Sequence, residues 1–225
     1  MLRKLFIAIG LVVGVTSTSY AADPQAVVER AKATVETMRS DASFGNSMEL
    51  LHRAKAVMIV PQLVKGGFMF GAEGGKGVLV VHHQRGWSDP AFYGIGAGSF
   101  GLQIGLEEAE LVMFVMSDRA LHAWMKNEVK LGVNAGLTVL VVGSSAEADA
   151  TTNANVDVIA WAKSKGAYAG ITLSGSVIKP LPKDDAAYYG HPVTTAEILH
   201  NFGYPGAETL RGALKLDNAV ANDRR

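Results

Sequence analysis

Apolar residues follow a helical spacing at the start of the chain and a strand-like spacing further on. Asp23 and Pro24 make a typical helix start, with a capping side chain followed by proline. The apolar residues after them recur at helical spacing: Val28, Ala31, Val35 and Met38. From Ala56 the apolar runs are short and bounded by glycine or proline. "AVMIVP", "GGFMFG" and "GVLVVHH" therefore predict β-strands, the first ending at Pro61.

The same reading continues towards the C-terminus. Strands are predicted in "AELVMFVMS", "GLTVLVVG", "VDVIAWAKS" and "AYAGITLSGSVI", and helices after Ser117 and near Leu210. Another helix begins at Thr194, where Glu197 completes a capping box. Helices at both ends with strands between them predict an α+β fold. We expect an antiparallel, strongly bent, glycine-rich sheet or a barrel-like sandwich of short strands, with the N- and C-terminal helices packed on it.

The first 21 residues have the layout of a secretory signal peptide. Arg3 and Lys4 precede an apolar run over residues 5–15, and Ser19-Tyr20-Ala21 is a small-x-small cleavage signal. Cleavage between Ala21 and Ala22 would leave residues 22–225, in which no linker marks a second domain. We therefore expect one domain, located in the periplasm or secreted, and not anchored as a lipoprotein, since the chain has no cysteine.

The net charge argues against one class of binding partner, and the cysteine content excludes several kinds of site. Cleavage would remove two of the 21 basic residues and none of the 21 acidic ones, which gives a formal charge of −2. Such a chain lacks the basic surface that nucleic acid requires. The absence of cysteine excludes disulfides, thiolate metal sites and cysteine nucleophiles.

The segment "GAGSFG", residues 96–101, matches the G-x-G-x-x-G pattern of dinucleotide-binding turns. That chemistry needs a helix directly after the glycines, whereas "LQIGLEEAELVMFVM" continues as apolar strand-like sequence. Alternation places Gly94, Gly96 and Gly98 on one face of a strand. We therefore predict a strand in which Gly98 stands against a close neighbour, and no nucleotide.

Longer motifs resemble the SYLF domain family, also called the Ysc84-type or DUF500 family. They are "VPQLVKGGFMFGAEGGKGVLV", "GWSDPAFYGIGAGSFGLQIG", "LGVNAGLTV", "AWAKSKGAYAGITLSGSVI" and "DDAAYYG", within residues 41–190. The resemblance implies a non-catalytic protein that binds phospholipid or a membrane surface, phosphoinositides in eukaryotic members. This chain departs at Ser174, where the family often has glutamate, and in starting with a signal peptide. Actin binding, known for some members, is not expected of an exported protein.

The lipid reading selects basic and aromatic residues in or beside these motifs. The basic ones would hold a phosphate head group, and the aromatic ones would contact acyl chains. The alternatives are solvated lysines and core aromatics. The candidates are Lys65, Phe68, Phe70, Arg85, Trp87, Phe92, Tyr93, Lys163, Lys165, Tyr168 and Lys179.

The sequence gives little support for metal binding or catalysis. His82 and His83 are adjacent, so on a strand they point to opposite faces and cannot share a metal. We expect no metal and no cofactor. Neither Ser88 nor Ser99 lies in a G-x-S-x-G elbow, so we do not expect an enzyme. Two alternatives to lipid binding stay open: a structural or interaction protein of the cell envelope with a protein partner, and a hydrolase with an unrecognised site.

Overall fold

The computed structural model describes residues 23–67, 70–100, 105–126, 128–132, 137–142, 156–165, 173 and 175–215. The helices are α1 (Pro24–Arg39), α2 (Ser47–Arg53), α3 (Asp118–Lys126), α4 (Pro182–Tyr189), α5 (Thr195–His200) and α6 (Glu208–Leu214). The strands are β1 (Ala56–Gly67), β2 (Phe70–His83), β3 (Gly86–Trp87), β4 (Ala91–Phe100), β5 (Gly105–Val115), β6 (Val129–Lys130), β7 (Val139–Val142), β8 (Val158–Lys165) and β9 (Val177–Pro180).

The strands form one strongly curled sheet, and flanking helices complete the predicted α+β fold. The order is β6-β9-β4-β2-β1-β5-β8-β7, with β3 paired to β2. Every pair is antiparallel except β7 and β8, which run parallel. A parallel pair needs a long connection, and the sequence provides residues 143–157 between these two strands. The sheet is therefore mixed, a departure from the purely antiparallel expectation.

Both faces of the sheet are buried, which explains the continuous apolar runs of its central strands. One face, which we call the helix face, carries Val57 and Ile59 and packs under α1, α2 and α6. The other, which we call the α3 face, carries Met58 and packs against Trp124 of α3 and residues of α5. Alternate residues of one strand thus enter two different cores.

The first strand does not end at Pro61, as the sequence predicted, but continues to Gly67 through a β-bulge. Ile59 pairs with Val78, whereas Gln62 pairs with Lys76, so β1 has one residue more than β2 in this interval. Proline cannot donate to a sheet ladder, and a bulge is where a central strand tolerates it.

Glycine is required opposite this bulge. A Cβ atom on Gly77 would lie 2.2 Å from the carbonyl oxygen of Ile59, and one on Gly75 would lie 2.6 Å from that of Gln62. Gly98, in contrast, would have no atom within 4 Å of an added Cβ. The prediction of close approach at Gly98 is therefore wrong, because the tight contact lies in β2.

Two of the helix starts predicted from sequence are confirmed by their caps, and the third, after Ser117, is confirmed by α3, which begins at Asp118. The Asp23 side chain accepts a hydrogen bond from the Gln25 N–H at 3.1 Å, with proline following at the first helical position. Thr194 and Glu197 form the reciprocal capping box at α5. These caps fix the ends of helices that pack on opposite faces of the sheet.

Candidate functional site

The segment "WSDP" before β4 is held by hydrogen bonds to distant parts of the chain. The Trp87 Nε1–H donates to the Leu214 carbonyl at 2.9 Å, and the Ser88 hydroxyl accepts from the Val81 N–H at 2.9 Å. Asp89 is buried, pairs with Arg211 and accepts from the Tyr204 N–H. Burial raises the pKa of Asp89, and Arg211 acts against that shift. These bonds tie β3 and β4 to the C-terminal helices.

Three of the aromatic candidates belong to the packed core. Trp87 is 4% exposed, and Phe92 and Tyr93 are fully buried. Phe92 lies on the helix face, whereas Tyr93 lies on the α3 face and donates its hydroxyl to the Trp124 carbonyl at 2.9 Å. Burial, followed by the charge of Asp185, raises the pKa of Tyr93. Their positions match the core alternative that the sequence left open.

Lys65 lies between two carboxylates. In the strand register it is directly opposite Glu73 of β2 and Glu107 of β5. Residues opposite each other share one face of a sheet, and alternation with Leu63 identifies this as the α3 face. One carboxylate oxygen of Glu107 is buried without a hydrogen-bond partner among the described residues. Lys65 is therefore a cation in an acidic setting.

The other lysines do not join Lys65. Lys163 alternates with Trp161, which places it on the helix face, and it is opposite Glu110 in the register. Lys179 is exposed in the short strand β9. The structure thus distributes these lysines over both faces and does not bring them together.

Of the remaining candidate residues, some lie in described strands and others lie outside the described residues. Phe70 begins β2, opposite Phe100, and Lys165 ends β8, opposite Glu108. Phe68 and Tyr168 lie outside the described residues, as do Ala21 and Ala22 at the expected cleavage point.

Arg85 lies at the other end of the sheet from Lys65, among aromatic and imidazole rings. Its guanidinium carbon is 5.2 Å from the ring centre of Phe202. His83 meets the same phenylalanine edge-on at 5.1 Å, and the rings of His83 and His200 are 6.0 Å apart. We call these four residues the Arg85 patch.

The Arg85 patch is accessible to solvent, and the positive charge of Arg85 is not balanced by a carboxylate among the described residues. Arg85 and His200 are exposed, whereas His83 and Phe202 are half-buried. Within the part of the chain that the structure describes, Arg85 makes no ion pair. A cation beside an aromatic ring at the surface suits contact with an anionic, partly apolar partner.

Sequence reasoning selected Arg85 but missed the other three members of the patch. His83 was considered only as a metal ligand, and Phe202 and His200 carry no local signal. Their contacts join distant segments: the His83 ring and the Leu199 carbonyl that it bonds are 116 positions apart. As alternation predicted, His82 turns the other way and stacks on Trp87 at 4.4 Å.

A small groove lies between α1 and the bulge of β1. Its volume is about 290 Å³, near the lower limit for small-molecule pockets. Arg30 and Lys76 contribute charge, but Lys76 is already 2.7 Å from Asp184. The other residues that line the groove are Val27, Pro61, Gln62, Val64, Gly74 and Gly75.

Neither a metal-binding group of side chains nor a membrane-spanning helix occurs among the described residues. No three histidine or carboxylate side chains among them are grouped to hold a metal ion. None of their helices is both long enough and apolar enough to cross a bilayer.

The curled sheet, its two cores and the flanking helices define an α+β domain. Residues 96–216 match the model of the Ysc84 family, described as "Las17-binding protein actin regulator". The chain belongs to this Ysc84, or SYLF domain, family.

Similarity to individual proteins agrees with the family assignment. The chain is 30% identical over 152 residues to human SH3 domain-containing YSC84-like protein 1, covering 67% of this chain and 44% of that protein. It is 32% identical over 154 residues to Protein YSC84 of Saccharomyces cerevisiae, covering 67% and 33%. LAS seventeen-binding protein 3 of the same species is 31% identical over 155 residues, covering 67% and 34%. The chain thus spans less than half of these relatives, and family membership supports a non-catalytic binding protein.

Proposed function

We propose that this chain is an exported, non-catalytic protein that binds phospholipid at a membrane surface through the Arg85 patch. The observation that carries the proposal is the exposed Arg85 beside Phe202, without a carboxylate partner among the described residues. Lys65 and Lys163 are opposite carboxylates in the register and suit an anionic surface less well.

The patch combines the two contributions that interfacial binding needs. A basic side chain near an anionic bilayer contributes about 1 kcal/mol, and an aromatic ring adds burial of apolar area. Arg85 over Phe202 presents both at one point. The full chain has no net formal charge and the processed chain would carry −2, so long-range attraction to an anionic surface is absent and local contacts must dominate.

Export is the second part of the proposal. It is supported by Arg3, Lys4, the apolar run over residues 5–15 and the small residues before Ala22. In a Gram-negative host the protein should be recovered from the periplasm, with Ala22 as its N-terminal residue in Edman sequencing. Cytoplasmic protein that retains Met1 would contradict this part. An exported chain would not meet cytosolic actin.

Flotation with liposomes tests the lipid contact. Arg85→Gln should weaken binding to vesicles containing phosphatidylglycerol about fivefold, the equivalent of one surface charge. Phe202→Ala should weaken binding to neutral and anionic vesicles alike. Lys163→Gln is the matched control, since it removes an exposed cation that is opposite Glu110, and should change little.

Circular dichroism of each variant confirms that it is folded before flotation. If Arg85→Gln and Lys163→Gln weaken vesicle binding equally, the Arg85 patch is not the lipid-binding site. Wild-type protein that floats with no vesicle would overturn lipid binding. It would favour a protein partner, the second candidate, which the family description "Las17-binding" supports.

A further inference from the structure

We propose that His83 and His200 link membrane binding at the Arg85 patch to protons, so that attachment to anionic phospholipid strengthens as the pH falls. This inference rests on the proposed function and adds a regulation to the same site. It is carried by the hydrogen bonds and spacing of the two imidazole rings and by the guanidinium of Arg85 beside them.

Each histidine uses one ring nitrogen internally and keeps the other available. The Nε2 of His83 is 2.8 Å from the Leu199 carbonyl, and the Nδ1 of His200 is 2.7 Å from the Ala196 carbonyl. A carbonyl only accepts, so these ring nitrogens carry the hydrogen and donate it. The Nδ1 of His83 and the Nε2 of His200 are left to take up a proton, which turns each ring into a cation with a new N–H donor.

The spacing of the two rings makes protonation and anion binding depend on each other. With ring centres 6.0 Å apart, two imidazolium ions repel, and Arg85 adds a third positive charge beside Phe202. A phosphate group at the patch relieves this repulsion and favours the protonated rings. By linkage, protons must then favour phosphate binding to the same degree.

The carboxylates on neighbouring elements already have partners. The titratable and charged groups on the elements around the patch include His52, Arg53, Lys55, His82, His191, Arg211 and Lys215. Glu49 pairs with Arg53, Asp118 with Lys55 and Asp89 with Arg211. Glu197 bonds the neutral Thr194, so it keeps its negative charge in the helix that carries His200.

The two patch histidines differ from His82 in their surroundings. His82 stacks on Trp87, and burial lowers its pKa, so it resists protonation. His200 is exposed and His83 is half-buried. Histidine is the residue type whose charge changes between about pH 5 and about pH 8.

The experiment measures binding of the full processed chain at two pH values and constant ionic strength. Vesicles of phosphatidylcholine with phosphatidylglycerol are compared with phosphatidylcholine alone, by flotation at about pH 8 and about pH 5.5. One added positive charge strengthens binding to an anionic surface about fivefold. Two added charges should therefore strengthen the binding of wild-type protein to the anionic vesicles by up to about 25-fold at the lower pH.

The variant pair His83→Gln with His200→Gln should lose this gain, so that its binding to the anionic vesicles differs little between the two pH values. His122→Gln is the matched control, because His122 is an exposed helical histidine that donates its Nδ1–H to the Asp118 carbonyl four residues earlier, as His200 does to Ala196. The control should keep the full gain. Circular dichroism at both pH values monitors folding.

The outcomes separate the two proposals. Wild-type binding that is equal at both pH values overturns the proton linkage and leaves lipid binding intact. A gain that persists in the double variant also overturns it, since other groups would carry the response. An equal gain with phosphatidylcholine alone overturns the electrostatic basis. Wild-type protein that binds no vesicle at either pH overturns the proposed function itself.

Discussion

Asp157 and Asp185 are both buried carboxylates, but they lie in opposite electrostatic surroundings. Asp157, just before β8, is 3% exposed and receives hydrogen bonds from Ser117, Arg119 and Thr138. Burial alone would raise its pKa, but these donors outweigh burial and lower the pKa of Asp157 to about 2. Asp157 is therefore held as an anion.

Asp185, in α4, is fully buried and has far fewer donors. One oxygen accepts from the Phe92 N–H at 2.7 Å, and the other has no hydrogen-bond partner among the described residues. Burial raises the pKa of Asp185 to about 7, the Phe92 N–H opposes the shift, and the charge of Asp184 adds to it. Lys76 is paired with the neighbouring Asp184.

Both carboxylates are buried, so the number of hydrogen-bond donors around each one decides whether its charge stabilises or destabilises the fold. Asp157 joins the start of α3 to β7 and β8, and its charge strengthens those bonds. Asp185 joins α4 to β4 through one bond, and its charge is a cost. The same residue type thus stabilises one region as an anion and another as a neutral acid.

The largest effect is expected from Asp157→Ala. The substitution leaves the Thr138 N–H and the Ser117 hydroxyl without their acceptor, which should lower the free energy of unfolding by about 2–4 kcal/mol at neutral pH. Urea denaturation measures the loss. Asp118→Ala is the control: Asp118 is also acidic but 69% exposed, so its ion pair should contribute less than about 1 kcal/mol.

The pH dependence of Asp157 follows from its lowered pKa. Its contribution is present above the unfolded pKa of about 4 and is lost as the pH falls through the folded value of about 2. The alanine variant should therefore lose less stability than wild type between these values. Parallel acid unfolding curves for the two proteins would contradict the anchoring role.

A smaller effect of opposite sign is expected from Asp185→Asn. Because the folded pKa of Asp185 is raised, wild type should lose stability as the pH rises from about 4 to about 7, and the penalty then stays. Asparagine keeps an acceptor for the Phe92 N–H without the charge. The variant should be about 1–3 kcal/mol more stable than wild type near pH 8, with no such advantage near pH 4. Chemical denaturation at both values measures this, and a variant that is less stable than wild type near pH 8 would refute the assignment.

The two carboxylates show which features of the fold could be predicted from the sequence and which could not. The pattern of apolar residues predicted the α+β class and the helix starts at Asp23 and Thr194, because capping and periodicity are local. It could not pair residues far apart. Asp157 and Arg119, for example, are 38 positions apart, and nothing in the intervening sequence marks them as partners.

The same limit applies to the bulge and to the candidate site. Pro61 suggested the end of a strand, because whether a central strand continues through proline depends on the register of its neighbours. Arg85 could be selected for its charge beside a specific motif. Its partner Phe202 could not, since only the fold brings α5 and the segment after it against the end of β2.

The smallest effect concerns Asp184, whose charge helps to raise the pKa of Asp185. Asp184→Asn should lower the pKa of Asp185, because a like charge next to the buried carboxyl is removed. Lys76→Gln should shift it the other way, since it removes the cation 2.7 Å from Asp184 and leaves that charge uncompensated. NMR titration of the Asp185 carboxyl carbon measures both shifts. Opposite signs in the two variants would establish that the charge state of Asp185 responds to its neighbours. Shifts in the same direction would mean that the substitutions act by loosening α4 and admitting water, and burial alone would then account for the raised value.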